Sequence, residues 1–265
     1  MRTLLGCLLL CLVGPLAAAE RVVSLAPSLS EIMLDLQADD LLVGVLDGGE
    51  RPPALAHLPS VGRWGQLQIE ALLALKPDLV LLWPSSVSAT EREQLQRLGL
   101  ELMVVEPGDL DSLAEQFALV GARVGRRVEG ERLRDAFRAR VQQLRARYAR
   151  ARPLRVFYQV WDTPLYTLGG QQIVSDALKV CGAQNLFADL SLPAPQVSVE
   201  AVLQRDPEVL LAADARQLEA WRRWPQMTAT ARKQLWVLPD KGLERPSFQM
   251  LAATERLCEV LAGAR

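Results

Sequence analysis

Two segments of the chain repeat one another at a distance of 130 positions. They read LQIEALLALKPDLVLLW (residues 67–83) and VSVEAVLQRDPEVLLAA (residues 197–213). Each has a glutamate before a short apolar-periodic run, then a proline, an acid and a burst of leucine and valine. A short helix that ends at a proline and leads into a buried strand is an α/β unit. The duplication therefore predicts two similar α/β halves.

The first 19 residues, MRTLLGCLLLCLVGPLAAA, are typical of a secretory signal, with one basic residue, an apolar stretch and a small-residue end. We expect cleavage near Ala19. A lipid anchor on Cys7 or Cys11 is the alternative. Cys7 has almost no apolar segment before it, and Leu10 stands where a small residue would precede Cys11. We therefore favour a soluble exported protein, since no later segment approaches the ~18 apolar residues of a membrane span.

Removal of the leader takes away Arg2, so the formal charge moves from −1 to about −2. This balance gives no indication of nucleic acid or of a polybasic membrane surface. Two of the four cysteines remain, Cys181 and Cys258. Disulfides persist in exported proteins, so we expect a bridge between them. The alternative is two small buried side chains that never meet.

Strands and helices alternate over residues 20–110, which we assign to an N-terminal lobe. A strand at 21–25 leads through Ala26-Pro27 into a helix that Ser28 would cap, with Glu31 completing a capping box. Apolar strands are predicted at 41–46, 78–83 and 100–105, and a helix from Ser88 to Gly99. The strands lack polar alternation, which indicates buried parallel pairing.

Residues 111–152 form a helical segment between the halves. A helix over 111–124 is followed by an arginine-rich stretch, residues 127–150, whose apolar residues recur every three or four positions. This pattern predicts an amphipathic helix of about 36 Å, long enough to join two lobes. Its apolar residues are Leu133, Phe137, Val141, Leu144 and Tyr148. Residues 153–265, again alternating between strands and helices, form the C-terminal lobe.

Recognisable catalytic chemistry is missing from the sequence. The chain has no Gly-x-Ser-x-Gly, His-Glu-x-x-His, phosphate-loop or Cys-x-x-Cys motif, and Gly169-Gly170 lacks dinucleotide-loop spacing. The one histidine, His57, lies in a proline-rich loop and is expected to be exposed rather than catalytic or metal-binding. Carboxylate pairs for acid–base catalysis stay open, because any two acids of the chain can meet in space.

Aromatic residues are few and fall near the ends of predicted strands. They are Trp64, Trp83, Trp161 and Tyr166. Ligands of open α/β sheets bind beyond the carboxyl ends of the strands, so aromatics from two lobes would form an apolar cleft between them. Asp240, Glu244 and Arg245, just before the last helix, could add polar contacts or form a salt-bridged loop.

The sequence resembles the periplasmic substrate-binding proteins of ABC importers, in the class whose lobes are joined by one long helix. The stretches that carry this resemblance are RVVSLAPSLSEI, GRWGQLQIEALLALKPDLVLLW, RVFYQVWDTPLYTLGGQQIVSDALKVCGAQNLF, PQVSVEAVLQRDPE and LERPSFQMLAATERLC. ALKPDLV belongs to the wider class. The run VCGAQNLF followed by PQVS, together with the two cysteines, is similar to the cobalamin-binding branch.

The resemblance implies a two-lobed α/β protein that holds cobalamin or a related corrinoid and delivers it to an inner-membrane permease dimer. It implies a periplasmic protein, monomeric when free, that is not an enzyme and has no cofactor or metal of its own. A corrinoid-modifying hydrolase is the enzymatic alternative. The expected ligand-binding residues are Pro27, Ser28, Trp64, Trp83, Trp161, Tyr166, Asp240 and Arg245. It places permease-docking glutamates at Glu70 and Glu200 and the disulfide at Cys181 and Cys258. A glutamate in a first helical turn is also favoured by the helix dipole alone.

The chain departs from the family pattern in the expected cleft. DGGERPP carries no aromatic where the family has a tyrosine before Pro-Pro, and Ala194 stands where the family has a tryptophan. The loop that holds Asp240 is one residue longer. A less aromatic cleft would suit another corrinoid or a corrinoid precursor. The alternative ligand is haem or a ferric siderophore, with His57 and Tyr166 as the candidate haem ligands.

Overall fold

The computed structural model describes residues 18–49, 51–238 and 240–264; the predicted leader, with Cys7 and Cys11, lies outside these ranges up to residue 17. The strands in chain order are β1 (Val22–Ser24), β2 (Leu42–Asp47), β3 (Ser60–Arg63), β4 (Gln66–Leu67), β5 (Leu79–Leu82), β6 (Leu102–Val104), β7 (Leu154–Asp162), β8 (Leu165–Thr167), β9 (Ala183–Asn185), β10 (Val209–Ala212) and β11 (Leu235–Val237). The helices are α1 (Pro27–Asp35), α2 (Ile69–Ala74), α3 (Ala89–Arg97), α4 (Leu110–Arg123), α5 (Arg127–Arg147), α6 (Ile173–Val180), α7 (Val199–Arg205), α8 (Ala215–Glu219), α9 (Thr228–Ala231) and α10 (Met250–Ala262).

Each lobe contains one sheet flanked by helices. The N-terminal sheet has the order β4-β3-β2-β1-β5-β6, and its pairs are parallel except β3 with β4. The C-terminal sheet has the order β11-β10-β7-β8, with β9 also paired to β7, and only β8 is antiparallel. The predicted two-lobed α/β fold with parallel-type sheets is confirmed. The lobe boundaries at residues 110 and 153 stay a prediction.

The repeated segments form the same local structure in both lobes. The helices α2 and α7 are followed by Lys76 and Asp206, whose φ angles of 48° and 44° are left-handed, and then by the repeated prolines. The acid that comes next binds a backbone amide at the start of the first strand of its lobe. Asp78 Oδ1 accepts a hydrogen bond from the Arg21 amide (3.0 Å), and Glu208 Oε2 accepts one from the Arg155 amide (3.1 Å).

The same two arginines also hold the end of the repeated helix. The Arg21 guanidinium donates to the Leu75 carbonyl (Nη2 to O, 2.6 Å), and that of Arg155 donates to the Arg205 carbonyl (Nη1 to O, 2.9 Å). These carbonyls lie at helix ends, where backbone acceptors lack intrahelical donors. The repeat is thus one anchoring device used twice, in which an acid and an arginine tie helix to strand.

The linker helix α5 runs 21 residues, about 32 Å at the usual rise. Leu133, Phe137, Val141 and Leu144 are buried, as the apolar stripe predicts. They belong to a hydrophobic core that continues from the N-terminal lobe into the C-terminal lobe. Phe117 of α4, Phe137 and Phe248 pack with ring centroids 5.5 to 5.9 Å apart. The lobes are therefore joined by shared packing as well as by the chain.

A disulfide joins Cys181 and Cys258, with 4.6 Å between the two Cα atoms, as predicted. It connects the end of α6 to α10, and both cysteines are buried. In the described part of the chain, every helix is too short or too polar to cross a membrane.

The predicted cap of the first helix is wrong. Helix α1 begins at Pro27, and the residue before it, Ala26, makes no side-chain cap. Proline suits the first helical position because its fixed φ is helical and no amide donor is lost there. Ser28 is therefore inside the helix, and Glu31 is free to bind residues of the other lobe. By contrast, Ser88 and Glu91 form a complete capping box on α3, which begins as predicted.

Candidate functional site

The carboxyl ends of four parallel strands meet at one edge of the N-terminal sheet. Ala26 and Pro27 follow β1, Gly48 follows β2, Trp64 follows β3 and Trp83 follows β5. In open α/β sheets this edge is where ligands bind. The strand order, and not sequence proximity, therefore brings the two tryptophans to the start of α1.

A cavity of about 340 Å³ lies at this edge, between the two lobes. The N-terminal lobe contributes Ala26, Pro27, Ser28, Gly48, Trp64 and Trp83, and the C-terminal lobe contributes Glu244, Arg245 and Pro246. Trp64 is 50% exposed, and an exposed aromatic side chain at the edge of a cavity indicates a binding surface. The cavity thus combines two indole rings with one acid and one guanidinium.

An ion pair closes the base of this cleft across the two lobes. Arg245 Nη1 donates to Glu31 Oε1 at 2.5 Å, and the Ser247 hydroxyl donates to Glu31 Oε2 at 2.8 Å. Gln249 donates to the same carboxylate oxygen. Glu31 is on α1 of the N-terminal lobe, whereas its three donors lie between the last strand and α10. Arg245 is consequently fixed on one side and faces the cavity with its remaining donors.

Asp35, one turn further along α1, makes a second contact between the lobes. Its carboxylate accepts a hydrogen bond from the Phe248 amide (Oδ2 to N, 3.0 Å). Burial raises the pKa of Asp35 from 3.8 to about 6, the Phe248 amide opposes this rise, and the Glu31 charge adds to it. The carboxyl group at the lobe junction therefore titrates near neutral pH.

Asp240, a predicted ligand-binding residue, is engaged within its own loop. Its Oδ1 accepts from the Gly242 amide at 2.7 Å, and its Oδ2 pairs with the Arg256 guanidinium on α10. Both carboxylate oxygens are thus used by local structure. Asp240 lines a neighbouring depression together with Glu31 and Arg245. It is not among the described residues that line the cavity with the two tryptophans.

Trp161 and Tyr166 lie opposite one another in the β7–β8 hairpin of the C-terminal lobe. Directly opposite residues project from the same face, so the two rings share one side of the hairpin. Trp161 is 57% exposed, and its indole Nε1 donates to the Thr163 carbonyl at 3.2 Å. As far as the chain is described, neither ring lines the tryptophan cavity. His57 is exposed, as expected for its loop.

Glu70 and Glu200 occupy the second positions of α2 and α7, and both are exposed. The pKa of Glu200 lies below its usual value because its own backbone amide and the Ser198 hydroxyl donate to the carboxylate. The two acids are therefore equivalent, accessible and placed outside the described cavity.

Glu244 is the cavity residue for which sequence analysis left two interpretations open, a ligand contact or a salt-bridged loop. It lines the cavity, and the Tyr158 hydroxyl donates to its Oε1 at 3.2 Å. Burial, and then the charge of Glu244, raise the pKa of Tyr158 well above its usual value, so the phenol stays protonated and keeps donating. Its partner Tyr158 lies 86 positions away, and no local pattern indicates that contact.

Residues 22–241 match the periplasmic binding protein family. The chain belongs to this family. Among the relatives of this periplasmic binding protein is the vitamin B12-binding protein of Vibrio cholerae, 34% identical over 250 residues, which are 93% of this chain and 91% of the relative. The vitamin B12-binding protein of Yersinia pestis is 32% identical over 254 residues, 94% and 89% of the two chains.

Solved structures of the family superpose well on this periplasmic binding protein. The periplasmic vitamin B12 binding protein BtuF of Vibrio cholerae matches with a TM-score of 0.84 and 34% identity, over 93% of this chain and 98% of that chain. The periplasmic heme binding protein HutB of Vibrio cholerae matches with a TM-score of 0.78 and 20% identity, over 91% and 98%. The second similarity is one of fold.

Proposed function

We propose that the protein captures cobalamin or a related corrinoid between its lobes and delivers it to an ABC transporter permease. The observation that carries this proposal is the cavity that joins Trp64 and Trp83 of one lobe to Glu244 and Arg245 of the other. A corrinoid has a broad apolar ring system with amide side chains at its rim. The similarity to vitamin B12-binding proteins over nearly the whole chain supports this ligand.

In this proposal the two indole rings pack on the corrin face, and Pro27 and Ser28 contact it from the start of α1. Arg245 donates to amide carbonyls at the rim, because Glu31 uses only part of its guanidinium. Trp161 and Tyr166 contribute from the C-terminal hairpin once ligand fills the space between the lobes. Asp240 acts indirectly, by shaping the loop that carries Glu244 and Arg245.

The corrinoid is cargo, so no catalytic step, cofactor or metal site of the protein is needed. We expect a monomer in the periplasm, released by cleavage near Ala19, with an N-terminal lobe from residue 20 to 110 and a C-terminal lobe from 153. Glu70 and Glu200 would contact the permease dimer, one from each lobe, since carboxylates pair well with arginine side chains.

Calorimetric titration of the purified protein with cobalamin and with cobinamide tests the proposal. Trp64→Leu and Trp83→Leu should each weaken binding at least about tenfold, the effect of losing an aromatic contact in a desolvated site. Trp224→Leu, which changes a half-buried tryptophan that packs against the C-terminal core and is outside the described cavity lining, should leave affinity unchanged. Binding of haem in an absorption titration, with no binding of either corrinoid, would favour the haem alternative and overturn this proposal.

A further inference from the structure

The charges that face the cavity do not balance once the contacts between the lobes are considered. Arg245 and Glu244 are the charged residues of its described lining. Arg245 is already paired with Glu31, whose side chain is only 12% exposed. Among the described residues, the partner that the structure records for Glu244 is a neutral one, the Tyr158 hydroxyl. The negative charge of Glu244 is therefore the uncompensated one in this cleft.

Geometry fixes the position of this carboxylate. Tyr158 is buried in β7 and donates to Oε1, so the second oxygen, Oε2, remains available as an acceptor. Asp240, the other acid of the loop, has both oxygens engaged by Gly242 and Arg256. Glu244 thus supplies a negatively charged acceptor in the cleft that Asp240 cannot supply.

Such an acceptor distinguishes two chemical forms of a corrinoid rim. An amide side chain presents an N–H₂ group that can donate to Oε2, and a hydrogen bond to a charged acceptor is stronger than a neutral one. A carboxylate side chain at the same place offers only acceptors and repels Glu244. Replacing amide by carboxylate leaves shape nearly unchanged, so charge and hydrogen-bond direction decide between them.

We propose that Glu244 is a specificity-determining residue that selects corrinoids with amidated side chains over forms that carry free carboxylates, with Tyr158 as its positioning residue. This inference rests on the proposed function. It narrows the ligand to amidated corrinoids, with or without the nucleotide loop. A precursor that keeps its rim carboxylates is excluded.

The test compares two probes in calorimetric titrations at neutral pH: dicyanocobinamide, whose free side chains are amides, and dicyanocobyrinic acid, whose side chains are carboxylates. The wild-type protein should bind the amide form at least about tenfold more tightly, as expected for one lost hydrogen bond and one like-charge contact. Glu244→Gln should reduce this ratio at least about fivefold, mainly by tighter binding of the carboxylate form.

Two further variants separate this role from a structural one. Glu93→Gln makes the same change on the exposed surface of α3 and should leave the ratio unchanged. Tyr158→Phe keeps the charge and should retain rejection of the carboxylate form while binding the amide form several-fold more weakly. An unchanged ratio in Glu244→Gln would overturn the inference and leave the proposed function intact. Failure of the wild type to bind either probe would overturn the proposed function itself.

Discussion

The Glu31 carboxylate of the N-terminal lobe accepts a hydrogen bond from the Arg245 guanidinium of the C-terminal lobe, across 214 positions of sequence. The Ser247 hydroxyl and the Gln249 amide donate to the same carboxylate. Arg245 is also one of the residues that line the candidate ligand site. The cluster therefore links the relative position of the lobes to the orientation of a side chain in the cavity lining.

Glu31→Ala should destabilise the protein by about 2 kcal/mol, because it leaves the partly buried Arg245 and its neighbouring donors without their charged acceptor. Urea unfolding followed by circular dichroism measures this change. Glu129→Ala removes a surface ion pair with Arg132 in the first turn of α5 and should cost much less stability than Glu31→Ala. Equal stabilities of the Glu31 variant and the wild type would show that the cluster contributes nothing.

Asp35→Asn should stabilise the protein increasingly as pH rises from 4 to 8. The folded-state pKa of Asp35 is raised from 3.8 to about 6, so folding favours the protonated form. This stabilising contribution is fully present below pH 3.8 and is lost as pH rises through about 6. Asparagine stays neutral and can still accept from the Phe248 amide.

Thermal or urea unfolding at several pH values measures the difference between Asp35→Asn and the wild type. It should approach about 3 kcal/mol at pH 8, the free energy that corresponds to a pKa raised from 3.8 to about 6. A difference that does not change between pH 4 and pH 8 would contradict the assigned pKa.

The repeated acids should differ in their effect on stability. The Glu208 side chain is only 3% exposed and pairs with Arg152, Arg155 and Arg232, whereas Asp78 is exposed and accepts from the Glu20 and Arg21 amides. Burial raises the pKa of Glu208. The Arg155 amide and the nearby guanidinium groups lower this pKa by more than burial raises it, so the pKa lies below its usual value.

Glu208→Gln should therefore cost about 2–3 kcal/mol at pH 7, and Asp78→Asn less. The cost of Glu208→Gln should shrink as pH falls below 4.5, because the unfolded wild-type chain takes up a proton there whereas the folded carboxylate, with its lower pKa, does not yet do so. Unfolding curves of both variants at pH 7 and pH 4 test this order. A larger loss of stability in Asp78→Asn than in Glu208→Gln would show that burial does not determine how much each acid stabilises the protein.

Removal of the disulfide should lower stability by about 2–4 kcal/mol, since the bond closes a long loop in the unfolded chain. The bridged residues are 77 positions apart. The double variant Cys181→Ala, Cys258→Ala avoids a free thiol, and its unfolding midpoint can be compared with that of the wild type in reductant. If the wild type keeps its full stability after complete reduction, the bond is not stabilising.

Local patterns predicted the elements whose determinants lie within a few residues. The start of α3 after Ser88, the apolar stripe of α5 and the duplicated helix-proline-strand unit are all of this kind. The short strands β3, β4, β8 and β9 were missed, because they lack the runs of leucine and valine that marked equally short strands such as β5 and β10.

Two acids near the site have partners that local sequence patterns do not indicate. Glu31 has the sequence position of a capping-box acid, but its donors are contributed by the opposite lobe. In the sequence Asp240 is a candidate for a ligand contact, but its carboxylate forms an ion pair with Arg256 of α10. For such residues a long-range partner outweighs a local preference. Sequence patterns could locate the loop that faces the cleft. They could not show that Glu244, and not Asp240, lines the cavity.

The double variant Glu70→Ala, Glu200→Ala should leave corrinoid affinity unchanged and abolish productive docking to the permease. Both acids are exposed in the first turns of equivalent helices, and neither lines the described cavity. Losing two carboxylate contacts to arginine in an interface would weaken docking by at least about a hundredfold.

Calorimetry measures corrinoid affinity, and corrinoid uptake into proteoliposomes that contain the permease measures productive docking. Glu93→Ala, an exposed glutamate on α3, is the matched control and should support normal uptake. Each single variant should retain partial docking, because the other lobe still contributes its carboxylate. Weakened corrinoid binding in the double variant would contradict this assignment, because it would mean that Glu70 and Glu200 contribute to the ligand cavity and not to a separate docking surface.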